Sequence, residues 1–112
     1  MHAVESPQAL VWIAGPDMAC EYVSPQWLEF TGRTAEQALG DGWSHGVHPE
    51  DLVRWLDTSV RAFDAREAYE IEYRLRRTDG TYRWVLERAA PRYGGDGRFL
   101  GFVGLATALR DH

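Results

Sequence analysis

The chain has 112 residues, the length of one domain, so a catalytic domain beside a regulatory one is not expected. Hydrophobic residues make up 45% and charged residues 26%, a globular composition that excludes a disordered chain. The formal charge is −5 and all 12 basic residues are arginine, so nucleic acid is not an expected partner: that binding begins with phosphate neutralisation.

Cys20 is the single cysteine, so the chain can form neither an internal disulfide nor a cysteine-rich zinc site. No apolar run reaches the roughly 18 residues of a membrane span. The first seven residues, Met1 to Pro7, lack the basic and apolar regions of a signal peptide. These features predict a cytoplasmic protein without membrane insertion.

Leu10 to Ala14 is a short apolar run closed by Gly15-Pro16-Asp17, and Ala19 to Val23 follows. The pair predicts a hairpin. Ser24-Pro25 reads as a helix start, with Ser as N-cap and Pro at the first helical position, and Gly32 reads as its left-handed end. Thr34 and Gln37 form a capping box for a second short helix that ends at Gly40. Asp41 to Val47 is irregular and holds Trp43 and His45.

Pro49 to about Ala65 is predicted to be the longest helix, with Glu50 and Asp51 at the positive end of its dipole. Its apolar stripe is read as Leu52, Val53, Leu56, Val60 and Phe63. Then Tyr69, Ile71, Tyr73 and Leu75 alternate with charged residues, the pattern of a half-buried strand. Asp79-Gly80 reads as a two-residue hairpin turn. That turn sets Trp84 opposite Leu75 and Leu86 opposite Tyr73, so Trp84 is predicted to be buried against the long helix near Leu52, Trp55 or Leu56. Phe99 to Leu109, apolar on nearly every residue, is the last strand and is expected to be covered on both faces. The order β-β-α-α-α-β-β-β predicts an α+β domain: about five antiparallel strands with helices on one face.

Motifs along almost the whole chain resemble those of PAS domains of the bacterial sensor type, PAS fold type 3. They are Tyr22-Val23-Ser24-Pro25 into Trp27, Phe30-Thr31-Gly32, Gly42-Trp43 and His48-Pro49-Glu50-Asp51, then Glu72 to Arg77, Asp79-Gly80, Tyr82 to Val85, and Gly97 to Gly104. The resemblance implies a five-stranded antiparallel sheet in order 2-1-5-4-3 over residues 10–109. Residues 1–9 would form an N-terminal flank and 110–112 a tail toward an output domain. It also implies a bacterial sensory or dimerising module, of a two-component histidine kinase, a diguanylate cyclase or a similar signalling protein. Many such domains end in an Asp-Ile-Thr signature; here Ala108, Leu109 and Arg110 stand in its place.

Neither haem nor flavin is expected as a cofactor. The resemblance implies that haem would be ligated by a histidine of the long helix and flavin photochemistry carried by a Gly-Arg-Asn-Cys-Arg-Phe stretch, and neither feature is in this sequence. His45 and His48, three apart and near Glu50 and Asp51, are not expected to bind a metal: His48 precedes the helix at Pro49, and the two acids read as first-turn partners of its dipole. The aromatic cluster of Trp27, Phe30, Trp43, Trp55, Tyr73 and Trp84, with Leu56, is the candidate pocket for a small apolar ligand, or else a closed core. Leu10, Trp12, Leu100 and Phe102, on strands apolar on both faces, are the candidate homodimer interface, with Glu70, Glu72, Arg74, Arg76 and Arg83 as a polar margin. A sensory module passing a structural change to an effector is the primary reading. A small-ligand binder is the second. A small α+β enzyme using His48 and Asp51 as an acid–base pair is the third.

Overall fold

The computed structural model describes residues 9–109. The proposed flank, apart from Ala9, and the tail at 110–112 lie outside the described residues. Five strands, β1 (Leu10–Ala14), β2 (Cys20–Val23), β3 (Tyr69–Arg76), β4 (Tyr82–Tyr93) and β5 (Phe99–Ala108), form one antiparallel sheet in the order β2-β1-β5-β4-β3. Between β2 and β3 lie α1 (Pro25–Thr31), α2 (Ala35–Ala38), a 3-10 turn (Gly42–Gly46) and α3 (Pro49–Ala65).

The helix ends follow from local chemistry. Ser24 Oγ accepts from the Trp27 N–H and opens α1, while Gly32, at φ 70°, closes it. Thr34 and Gln37 form the reciprocal capping box of α2. His48 caps α3, its Nδ1 accepting from the Glu50 N–H at 3.0 Å.

The inner face of α3 differs from the predicted stripe. Asp51, Trp55, Ser59, Ala62 and Phe63 are buried, whereas Val53 is 78% exposed and Leu56 and Val60 are also exposed. Two polar residues can face inward because both are satisfied. The Ser59 hydroxyl donates to the Trp55 carbonyl at 2.8 Å, and Asp51 binds Arg74 of β3. Packing the large Trp55 against the sheet turns Leu56 toward solvent.

The β3–β4 register also differs. Arg77 N–H donates to Thr81 O, Gly80 N–H donates to Arg77 O, and Gly80 has φ 88°. This is a three-residue loop with Gly80 in the left-handed position, not the predicted two-residue turn. One extra loop residue slides the ladder by one, and every side chain of β4 changes face. Leu75 therefore pairs with Arg83, Tyr73 with Val85 and Arg74 with Trp84. The inner residues of β4 are Arg83, Val85, Glu87 and Ala89. Trp84 is 39% exposed on the outer face, with the Arg74 guanidinium 5.1 Å from its ring.

Three of the four residues assigned to the outer face of β1 and β5 point inward instead. Leu10, Trp12 and Phe102 are fully or almost fully buried in the core, and Leu100 is half-buried near the start of β5. A strand apolar on both faces does not reveal its parity; the ladder does. Trp12 pairs with Gly104, and the indole lies across the glycine where no side chain competes for space. The outer face of these strands carries Val11, Ile13, Val103 and Leu105.

Candidate functional site

The helices and the inner face of the sheet enclose a core of aromatic rings. Trp12 and Trp43 stand 4.4 Å apart, Trp43 and Trp55 5.3 Å, and Trp55 and Tyr73 6.3 Å, in tilted or edge-on contact. Of the pocket residues read from sequence, Trp27, Trp43, Trp55 and Tyr73 converge here and are buried. Phe30 packs at its margin, while Leu56 and Trp84 are exposed and line no core pocket.

Glu87 was not singled out in the sequence, yet it sits at the centre of this core and is 0% exposed. The Tyr73 hydroxyl donates to its Oε1 at 2.7 Å, and the Tyr69 hydroxyl donates to its Oε2 at 2.9 Å. The indole N–H groups of Trp12 and Trp55 also face the carboxyl and favour its charge. Neither closes a hydrogen bond of good geometry. Burial pushes the Glu87 carboxyl above the ordinary glutamate value, against the pull of these donors. The same burial, with Glu87 beside them, pushes both tyrosines up. The three-residue loop was the missing signal: with that parity Glu87 falls inward between Val85 and Ala89.

At the sheet edge, Asp51 fastens α3 to β3. It accepts from the Arg74 backbone N–H and Nε, both at 2.9 Å, and from Nη2 at 2.8 Å. These hydrogen bonds from the guanidinium pull its carboxyl down to about 2. A carboxylate held this way is a poor general base, and His48 Nδ1 is engaged in the helix cap. The geometry does not support the acid–base reading of His48 and Asp51. His45 is exposed, and among the described residues no group of three or more His, Cys, Asp and Glu stands together to hold a metal. Cys20 is buried on β2, and burial raises its thiol.

The outer face is different in kind. A groove of about 640 Å³ crosses it, lined by Val11, Ala90, Val103 and Leu105, with the ion pair of Glu70 and Arg88 at its rim. The chain leaves the sheet at the other end of β5. There the Leu109 N–H donates to the Trp84 carbonyl at 2.8 Å, and Arg83 Nη2 donates to the Leu109 carbonyl at 3.1 Å. The strand exit is thus tied to β4.

An antiparallel sheet in 2-1-5-4-3 order, with short helices and one long helix closing an aromatic core, defines a single-sheet α+β architecture. The PAS fold family profile matches residues 21–106. The chain belongs to the PAS family. It is 47% identical over 102 residues to the uncharacterized protein y4lL of Sinorhizobium fredii, covering 91% of this chain and 12% of that protein. It is 29% identical over 119 residues to the peroxide stress-activated histidine kinase mak1 of Schizosaccharomyces pombe, covering 98% of this chain and 7% of that protein. The N-terminal domain of a diguanylate cyclase with PAS/PAC sensor from Marinobacter aquaeolei has a similar fold. Its TM-score is 0.79 at 23% identity, over 90% of this chain and 94% of that one. The chain therefore corresponds to a small part of the length of these sequence relatives. It is a PAS domain similar to the sensor domains of histidine kinases and diguanylate cyclases. No helix among the described residues is long and apolar enough to cross a membrane.

Proposed function

We propose that the chain is the sensory and dimerising PAS module of a bacterial cytoplasmic two-component protein, joined to a histidine kinase or similar effector. The observation that carries this reading is the pairing of an aromatic core on one face of the sheet with an apolar groove on the other. The helices cover the inner face, and Val103 and Leu105 stay 36% and 42% exposed on the outer one. An apolar centre rimmed by Glu70 and Arg88 has the composition of an interface core and its margin. A second copy, related by a two-fold axis, is the simplest closed occupant for one chain type. In this reading the interface is Val11, Ile13, Val103 and Leu105, in place of Leu10, Trp12 and Phe102, which are buried in the core, and of Leu100, which is half-buried.

Contacts among Trp12, Trp43 and Trp55 support a closed core over a pocket for a small apolar ligand. The module works in this reading without haem or flavin, so the purified chain carries no visible chromophore. The Arg83–Leu109 tie supports a route by which a change in the core reaches the strand exit and the effector.

Sedimentation of the wild-type chain and of Leu105→Arg tests the interface. The wild type sediments as a dimer, and the variant as a monomer with an unchanged cooperative melt. A wild-type chain that remains monomeric at high micromolar concentration overturns the dimer. Placed ahead of a histidine-kinase core, the wild-type module changes autophosphorylation relative to the core alone. No change would overturn the sensory reading.

A further inference from the structure

A carboxyl with no exposed surface needs a reason to be there, because burying its charge is costly unless hydrogen bonds replace the lost water. Glu87 has no cationic partner among the described residues. It lies on the inner face of β4 between Ile71 of β3 and Ala106 of β5, its cross-strand neighbours. The groups that face it are the Tyr69 and Tyr73 hydroxyls of β3, the Trp12 indole N–H of β1 and the Trp55 indole N–H of α3. Arg83, the cation on the same face of the same strand, donates instead to the Leu109 carbonyl.

The surroundings suit the ionised form: two tyrosine hydroxyls donate to it and two indole N–H groups face it. A carboxylate offers about four acceptor sites, and four O–H and N–H groups face this one. A proton on Glu87 removes an acceptor site and adds an O–H that an indole N–H cannot accept and that a tyrosine hydroxyl can accept only by reversing its own bond, so the groups around the carboxyl must rearrange. The two indoles are the loosest, since both are buried without a closed hydrogen bond. One belongs to the long helix and the other to a central strand, so their displacement changes how α3 packs on the sheet.

We infer that Glu87 is a proton-binding site, and that its protonation repacks Trp55 and Trp12 between α3 and the sheet. A proton is the ligand that a closed aromatic core admits without an open cavity. The assignment rests on the sensory reading only for its use as a stimulus; the binding itself belongs to the folded chain. The balance of forces supports it. Burial disfavours the charge and the four donors favour it, with burial the stronger, so the site titrates above the ordinary value of 4.5.

Difference infrared spectroscopy and tryptophan fluorescence of the 112-residue chain, titrated upward from about pH 4.5, test the site. The wild type loses a protonated-carboxyl stretch with a midpoint above 4.5, and tryptophan emission shifts at the same midpoint. Glu87→Gln, which keeps the shape and cannot ionise, loses both changes and shows the acid-form emission throughout. Tyr73→Phe removes one donor to the charged form and raises the midpoint by roughly one pH unit, which keeps the test intact if Glu87→Gln does not fold. The proton site is overturned by a wild-type chain with no carboxyl titrating above 4.5, by emission changes that persist in Glu87→Gln, or by an unmoved midpoint in Tyr73→Phe. None of these outcomes touches the kinase-fusion assay, which tests the sensory reading separately.

Discussion

Gly104→Ala probes the packing on which the core depends. Gly104 pairs with Trp12, and an added Cβ would fall 2.0 Å from Trp12 Cε2 and 2.3 Å from Nε1. Carbon atoms in contact sit roughly 3.5–4.0 Å apart. The indole cannot yield easily: it is fully buried, and its other neighbour, Trp43, is 4.4 Å away. Gly104 is not at positive φ, so the cost is steric and not a matter of backbone strain. Overpacking of this kind costs about 3 kcal/mol, the top of its ordinary range. For a chain of this length that lowers Tm by about 12 °C. Thermal and urea melts followed by circular dichroism measure it, and the near-ultraviolet signal of the clustered tryptophans should weaken. Trp12→Phe in the same background should recover part of the loss, with a coupling of about 1 kcal/mol or more between the two sites. A Gly104→Ala protein with wild-type Tm and an unchanged near-ultraviolet spectrum would refute the placement of Trp12 over Gly104.

Truncating Trp84 to Ala should cost less than about 1 kcal/mol, because it loses mainly an exposed cation–π contact with Arg74, whereas Leu75→Ala should cost about 2–5 kcal/mol. Urea melts that reverse this order would contradict the β3–β4 register. Asp51→Asn should lower stability at pH 7 by about 1.5–3 kcal/mol by removing charged hydrogen bonds between α3 and β3. Its sign with pH follows from a native carboxyl at about 2 against an ordinary value of 3.8. The unfolded chain binds more protons in that window, so the contribution is complete above 3.8 and lost as pH falls toward 2. The wild type and Asp51→Asn should therefore converge in acid, and a gap that stays constant from pH 7 downward would show that the Arg74 pair is not its source.

Local features were legible because they rest on chemistry within a few residues. Ser24-Pro25, Thr34 with Gln37, and His48-Pro49 mark helix starts by capping and fixed φ, and each cap is present. The alternation of Tyr69, Ile71, Tyr73 and Leu75 marks the inner face of β3, as observed. The α+β class followed from the order of elements, and the strand order came with the resemblance those motifs carry. The candidate site was legible only in part: Trp27, Trp43, Trp55 and Tyr73 meet as expected, but Trp84 and Leu56 do not join them.

What the sequence determined by itself is where the helices start and that β3 is half-buried; β5, expected to be covered on both faces, leaves Val103 and Leu105 exposed on its outer one. What the tertiary structure decided is which way ambiguous faces turn. On β1 and β5 both parities bury apolar side chains, and the choice falls to the fit of Trp12 across Gly104. On β4 a single additional loop residue sends Trp84 to solvent and Glu87 to the core. On α3 the size of Trp55 and the pairing of Asp51 with Arg74 outweigh the Leu52, Val53, Leu56 and Val60 stripe. On β1, β5 and α3 the deciding interaction joins residues distant in the chain, and on β4 it is the length of a turn; neither leaves a periodic trace in the sequence.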